Sequence, residues 1–172
     1  MKSRFLILSI FPFFSMCVQA STIFYEARDV QTFEVMCKNE RHNITTHYKL
    51  LNGVYSSSTM IGGADANILL SVVPNRVALA ERKYERNTGE TVEWSEIIIS
   101  IREDSEFFEA SIGEPDFMTI TISTDNYSAS NKWSKISVKT VEAFLDEEGN
   151  LQSIHNSDSK KEWCALINVE YK

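Results

Sequence analysis

Apolar and polar residues alternate with a period of two along most of the chain, a pattern typical of β-strands that bury one face. The clearest case is TVEWSEIIISIR, residues 91–102, which places Ile97, Ile99 and Ile101 on one face. Because Ile98 makes the opposite face apolar as well, we expect the middle of this strand to be covered on both sides. Stretches with helical periodicity are scarce.

Turn signals separate the alternating segments. Asn52-Gly53 is the strongest of them, because both residue types tolerate the positive φ that a two-residue hairpin loop requires. Residues 87–90, 113–115 and 147–150 also indicate hairpins, because they concentrate Gly, Asn or Pro between two alternating segments. Residues 156–161 are polar and predict a loop.

The series predicts an all-β fold. About nine or ten short strands follow one another at spacings of roughly 8 to 14 residues, from residues 30–38 to residues 162–171. No internal repeat or linker interrupts the series, so we expect a single domain over residues 21–172. An antiparallel barrel or sandwich in which sequential strands pair is the architecture this pattern favours.

The first twenty residues, MKSRFLILSIFPFFSMCVQA, have the order of a secretory signal peptide: basic residues, an apolar centre and small residues before a cleavage site. We expect cleavage after Ala20. Lipidation of Cys17 is the alternative, although Phe14, Ser15 and Met16 are not the small residues that precede a lipid-bearing cysteine. No other apolar run is long enough to span a membrane, so we expect a periplasmic or secreted protein.

Charge excludes one class of partner. The 172 residues carry a formal net charge of −7, and loss of Lys2 and Arg4 with the leader makes it about −9. A field of this sign repels phosphate backbones, so we expect no nucleic-acid binding.

Cys37 and Cys164 are the two cysteines that remain after cleavage. Cys164 could be a reactive thiol, a metal ligand or half of a disulfide, and a cysteine pair in an oxidising compartment favours the disulfide. That bond would bring the first and last strands together, as in a closed or nearly closed barrel.

Catalytic and metal-binding patterns are absent from the sequence, so we expect no enzyme, no cofactor and no metal site. His42 and His47 are five residues apart and would lie on opposite faces of one strand, while no second ligand or nucleophile accompanies His155. Acidic residues cluster at 103–109 and 146–150, where solvated turns explain them better than calcium loops.

Aromatic residues are the remaining candidates for contact with a ligand or partner. Phe107, Tyr127, Trp133 and Trp163 lie at or near predicted strand ends, where they can line the mouth of a barrel or plug it. Because Phe107 and Phe108 are adjacent, one of the two must point away from the core of a regular strand.

Two functions fit this scaffold. The first is non-catalytic recognition of an envelope or secreted protein through loops or one barrel end. The second is a carrier of a small apolar ligand, in a cavity lined by residues such as Ile97, Ile99, Ile120 and Ile122. An enzyme of unrecognised type is a third and weaker alternative, which would require a histidine in a pocket beside carboxylates.

Overall fold

The computed structural model describes residues 23–64, 66–85, 89, 91–110, 114–124 and 133–172. The predicted leader, Cys17 and Tyr127 therefore lie outside the described residues. Eleven strands and one 3-10 turn at Glu40–His42 make up this part of the chain. The strands are β1 (Ile23–Asn39), β2 (Ile44–Leu51), β3 (Val54–Ile61), β4 (Asn67–Val72), β5 (Arg76–Glu85), β6 (Thr91–Arg102), β7 (Phe107–Ala110), β8 (Phe117–Thr124), β9 (Lys135–Leu145), β10 (Leu151–Glu162) and β11 (Cys164–Tyr171).

All strand pairs are antiparallel, and the strand order is β10-β9-β8-β6-β5-β1-β2-β3-β4-β7, with β11 paired to β1. The predicted all-β fold is confirmed, and the sheet curves into a half-barrel. No helix in the described residues is long and apolar enough to cross a membrane.

Strand β1 connects the two halves of the sheet because it changes partners along its length. Residues 23–29 pair with β5, and residues 33–39 pair with β2. We call β10-β9-β8-β6-β5 half A and β2-β3-β4-β7 half B. Their inner faces contribute to one core cluster, in which Phe33 of β1 stacks on Tyr55 of β3 with ring centroids 6.2 Å apart.

The core of half A consists of the isoleucine rows that the alternation predicts. Ile97 of β6 lies opposite Ile122 of β8, and Ile99 lies opposite Ile120. These four side chains are buried, whereas Ile98 on the other face is only half-buried. Full burial of an isoleucine contributes about 1.5–3 kcal/mol, so this face determines the register of β6 against β8.

Strand β11 pairs with the edge of β1 opposite to β2. It follows β10 with only Trp163 between them, and it pairs with β1 over Val30–Cys37. Cys37 lies directly opposite Cys164 in this register, and the two form the predicted disulfide. The bond joins the first and last strands, and it shows that neither cysteine is a free thiol.

The predicted hairpin around residues 113–115 is wrong. β7 pairs with β4 in half B, and β8 pairs with β6 and β9 in half A. The isoleucine rows explain this choice, because Ile120 and Ile122 of β8 are buried opposite Ile99 and Ile97 of β6. The adjacent phenylalanines divide as expected: Phe107 packs against the core and Phe108 is exposed.

The predicted polar loop at residues 156–161 is also wrong, since β10 runs through it to Glu162. Each residue of this stretch has a register partner on β9, from Asn156 opposite Val141 to Lys161 opposite Ile136. β10 ends the strand order, and most of its side chains are exposed on both faces. An edge strand of this kind needs no apolar alternation, so the periodicity gave no signal for it.

Candidate functional site

Trp163 is the single residue between β10 and β11. The chain turns there from β10, the last strand of half A, into β11, which pairs with β1. Two backbone hydrogen bonds hold the turn: the N–H of Lys38 donates to the carbonyl of Trp163 at 3.1 Å, and the N–H of Cys164 donates to the carbonyl of Ser134 at 3.0 Å. The disulfide follows immediately. Neighbouring elements on both sides therefore fix the backbone of Trp163.

The backbone of Trp163 is strained. Its φ is 58°, in the left-handed region, which costs a residue with a β-carbon about 1–2 kcal/mol. The other described non-glycine residues with positive φ are Asn43 and Asn52, and asparagine tolerates this conformation. Strain at a bulky residue, maintained by the surrounding structure, is a feature that clusters at functional sites.

The side chain of Trp163 is 76% exposed, the largest exposed fraction among the large hydrophobic side chains of the described residues. A tryptophan buried at an interface gives up a large apolar area to its partner, and tryptophan is enriched at binding hot spots. Its exposure in the isolated chain thus leaves a large anchoring group available.

A groove of about 260 Å³ lies beside Trp163 and reaches Cys37 of the disulfide. We call it the Trp163 groove. It is lined by Cys37, Lys38, Asn39, Ile44, Thr46, Lys160, Lys161, Glu162 and Trp163. Residues from β1 and β2 form one side and the end of β10 forms the other, so the β10 to β11 turn positions the two sides.

The Trp163 groove is basic although the chain is acidic. Among the described residues that line it, Lys38, Lys160 and Lys161 are cations and Glu162 is an acid, which is paired with Lys135 at 3.1 Å. The whole chain, in contrast, carries a formal net charge of −7. The local sign therefore favours anionic groups, within the roughly 8 Å over which exposed charges act at physiological salt.

A second cavity, of about 250 Å³, lies between the inner faces of half A and half B, and we call it the inter-sheet cleft. Tyr48 and Tyr55 line it from half B, and Met118, Ile120 and Glu142 line it from half A. Its volume is slightly below the range of about 300–1,000 Å³ usual for small-molecule pockets. Of the residues expected to line a carrier cavity, Ile120 does so, while Ile97, Ile99 and Ile122 are packed in the core.

Burial raises the pKa of three titratable groups in the inter-sheet cleft. Burial raises the pKa of the Glu142 carboxyl, and His155, whose Nδ1 lies 4.0 Å from Oε2 of Glu142, lowers it. Burial also raises the pKa of Tyr48 to about 12. The pKa of Tyr55 is raised further by burial and by Tyr48. The phenols thus remain protonated at neutral pH and can donate hydrogen bonds.

The histidines do not converge on one another. His42 lies in the 3-10 turn and is exposed, His47 lies 3.5 Å from Glu34, and His155 is an exposed residue of β10 beside Glu142. No group of three or more His, Cys, Asp or Glu side chains within the described ranges could hold a metal ion. The acidic turn at 146–150 is explained by Asp146, which accepts the backbone N–H groups of Glu148 and Asn150.

The aromatic residues predicted to make contacts differ in exposure and in location. Trp163 is exposed, Trp133 is buried at the same end of half A, and Phe107 packs against the core from half B. Trp133 is therefore a member of the core cluster. The lysines of the Trp163 groove were missed, and the signal that could have found them is the sequence KKEW at 160–163, where two cations precede a tryptophan.

No protein-family model, curated protein or solved structure matches this chain.

Proposed function

We propose that the protein is a periplasmic or secreted, non-catalytic binding protein that recognises an envelope or secreted protein, with the Trp163 groove as its contact surface. The observation that carries this proposal is the exposed, strained Trp163. A glycine at this position would remove both the backbone strain and the exposed apolar side chain. Because the fold alone would favour glycine, we assign the tryptophan a role in binding.

Rigidity supports a binding role for the Trp163 groove. The disulfide joins β1 to β11 directly after Trp163, and the N–H of Lys38 donates a hydrogen bond to the carbonyl of Trp163. A surface that is already ordered loses little conformational entropy when a partner binds, and this raises affinity without additional contacts. The groove-lining Cys37 belongs to the core cluster, in which Val35 and Ile136 are also buried.

The test is a pull-down from an envelope extract with the purified mature chain and two variants. Trp163→Ala removes the proposed anchor. Phe108→Ala is the matched control, because Phe108 is also an exposed aromatic residue, at 56%, but lies on β7 in half B. Circular dichroism and urea unfolding of all three proteins would show that both variants fold.

We expect one protein to be retained by the wild type and by Phe108→Ala, and to be lost with Trp163→Ala. Retention by all three proteins would refute the assignment of the Trp163 groove. A lipid that copurifies with the wild type, and no retained protein, would instead favour the apolar-ligand carrier with the inter-sheet cleft as its site.

The compartment has a separate test. We propose that the mature protein begins at Ser21, so the intact mass of the exported protein should lack residues 1–20. A lipid-modified mass that retains Cys17 would identify the lipoprotein alternative instead.

A further inference from the structure

The Trp163 groove lies at the end of a free sheet edge. β10 ends the strand order, and within the part of the chain that the structure describes it pairs with β9 alone. Its last residues, Lys160 to Glu162, line the groove. A free edge presents backbone N–H and carbonyl groups that an extended segment can pair with as an additional strand.

Apolar and cationic groups stand side by side in the groove. The Trp163 ring is the apolar group, and Lys38 and Lys161 reach the groove from β1 and β10 on its two sides. The positive charges come from both sides, so a segment lying in the groove would meet a cation on each flank. Carboxylates are the side chains that this arrangement stabilises.

The negative charge of the whole chain acts against this local preference only weakly. Exposed carboxylates also lie close to the groove in sequence, Glu40 after Asn39 and Asp158 on β10, but most lie on other strands and in turns. Charges separated by more than a Debye length of about 8 Å are largely screened at physiological salt. The lysines in the groove are close enough to contact a bound segment directly. Contact charges therefore determine which ligand is selected.

We propose that the Trp163 groove binds an extended peptide segment of the partner in which acidic residues flank an apolar one. The apolar side chain packs on Trp163, the carboxylates face the groove lysines, and the backbone of the segment continues along the edge of β10. The assignment rests on the proposed binding function and adds the chemistry of the partner.

The test measures fluorescence anisotropy of three labelled ten-residue peptides with the mature protein. The first peptide carries Glu and Asp around a central Leu, the second has Lys at the acidic positions, and the third has Gln and Asn there. We expect the acidic peptide to bind at least about tenfold more tightly than either of the others.

Two pairs of charge reversals locate the site. Lys38→Glu with Lys161→Glu should weaken binding of the acidic peptide by at least about tenfold. Lys49→Glu with Lys83→Glu changes the net charge equally at exposed positions outside the groove, on β2 and β5, and should leave binding within about twofold. Trp163→Ala should weaken binding even though no charge changes.

Equal binding of the three peptides, or equal weakening by both pairs of reversals, would overturn the acidic-segment assignment. A polyphosphate that binds as tightly as the acidic peptide would indicate a simple anion site and would also overturn it. If a partner retained through Trp163 binds by a segment without acidic residues, the acidic-segment assignment fails and the proposed function stands. If no partner depends on Trp163, the proposed function fails.

Discussion

Trp163 illustrates what alternation cannot predict at the scale of one residue. Alternation groups Trp163 with Ala165 and Ile167 as one apolar row, opposite Cys164. In the structure Cys164 faces the core while Trp163 and Ile167 are exposed. The pairing of Cys164 with Cys37 determines the face, because burial of the disulfide turns the neighbouring residues outward.

A glycine at position 163 should relieve the strain of the turn. Glycine adopts a φ of 58° without cost, whereas alanine retains the strain and loses the indole as well. We expect Trp163→Gly to be more stable than Trp163→Ala by about 1 kcal/mol, measured by urea unfolding. Both variants should fail to retain the partner, and an alanine variant as stable as the glycine variant would argue against strain at this position.

Glu142 should make stability depend on pH. Burial raises its pKa in the folded state, so the stabilising contribution of its protonated form is present at low pH and is lost as pH rises through the raised pKa. Glutamine cannot ionise. The free energy of unfolding of Glu142→Gln minus that of the wild type should therefore increase from about pH 4 to about pH 8.

His155 provides the control for Glu142, because its positive charge opposes the raised pKa. In a His155→Gln background the same difference should increase more steeply with pH. A difference that remains constant over the whole pH range would contradict the burial of the Glu142 carboxyl.

Most elements follow from local sequence, and the exceptions have physical causes. β2 and β3 end at the predicted Asn52-Gly53 turn, where both φ angles are positive. The polar residues at 156–161 predict a loop, but β10 continues to Glu162, because backbone pairing with β9 holds a polar strand that has no apolar face. The partner of β7 depends on contacts distant in sequence, which a local pattern does not contain.

The Trp163 groove could not be predicted from the sequence either, because it forms from residues that are distant along the chain. Lys38 and Lys161 are 123 residues apart, and they meet only because β11 returns to β1. Their positions on the two sides of the groove depend on the register of β11 against β1. The sequence predicts the disulfide between these strands but not the groove beside it. The exposed tryptophan was predicted as a contact residue, and the lysines around it were not.

The disulfide that joins β1 to β11 should contribute substantially to stability. It closes a loop between residues 127 apart, and a loop of this length corresponds to about 4–5 kcal/mol in the chain-entropy model. The double variant Cys37→Ala, Cys164→Ala should lose about 2–5 kcal/mol of unfolding free energy, measured by urea unfolding.

Reductant is the control for the disulfide prediction. It should lower the stability of the wild type towards that of the double alanine variant and should leave the variant unchanged. A loss below about 1 kcal/mol would show that strand pairing alone holds β11 on β1.

At the scale of the whole molecule, the half-barrel divides its surface into distinct regions. A filled isoleucine core supports half A, the inter-sheet cleft opens between the halves, and the basic Trp163 groove lies where β10, β11 and β1 meet. The edge of β10 that has no partner strand among the described residues leads into that groove. The proposed binding surface is therefore continuous, from the edge strand to the disulfide.

The most direct test is amide hydrogen exchange of the mature protein with and without the partner retained in the pull-down. We predict slower exchange in β10 and across residues 160–164 when the partner is bound, with β3, β4 and β7 unchanged, because backbone pairing at the β10 edge protects amides there. Protection confined to half B, with β10 exchanging as in the free protein, would contradict the assignment of binding to the Trp163 groove.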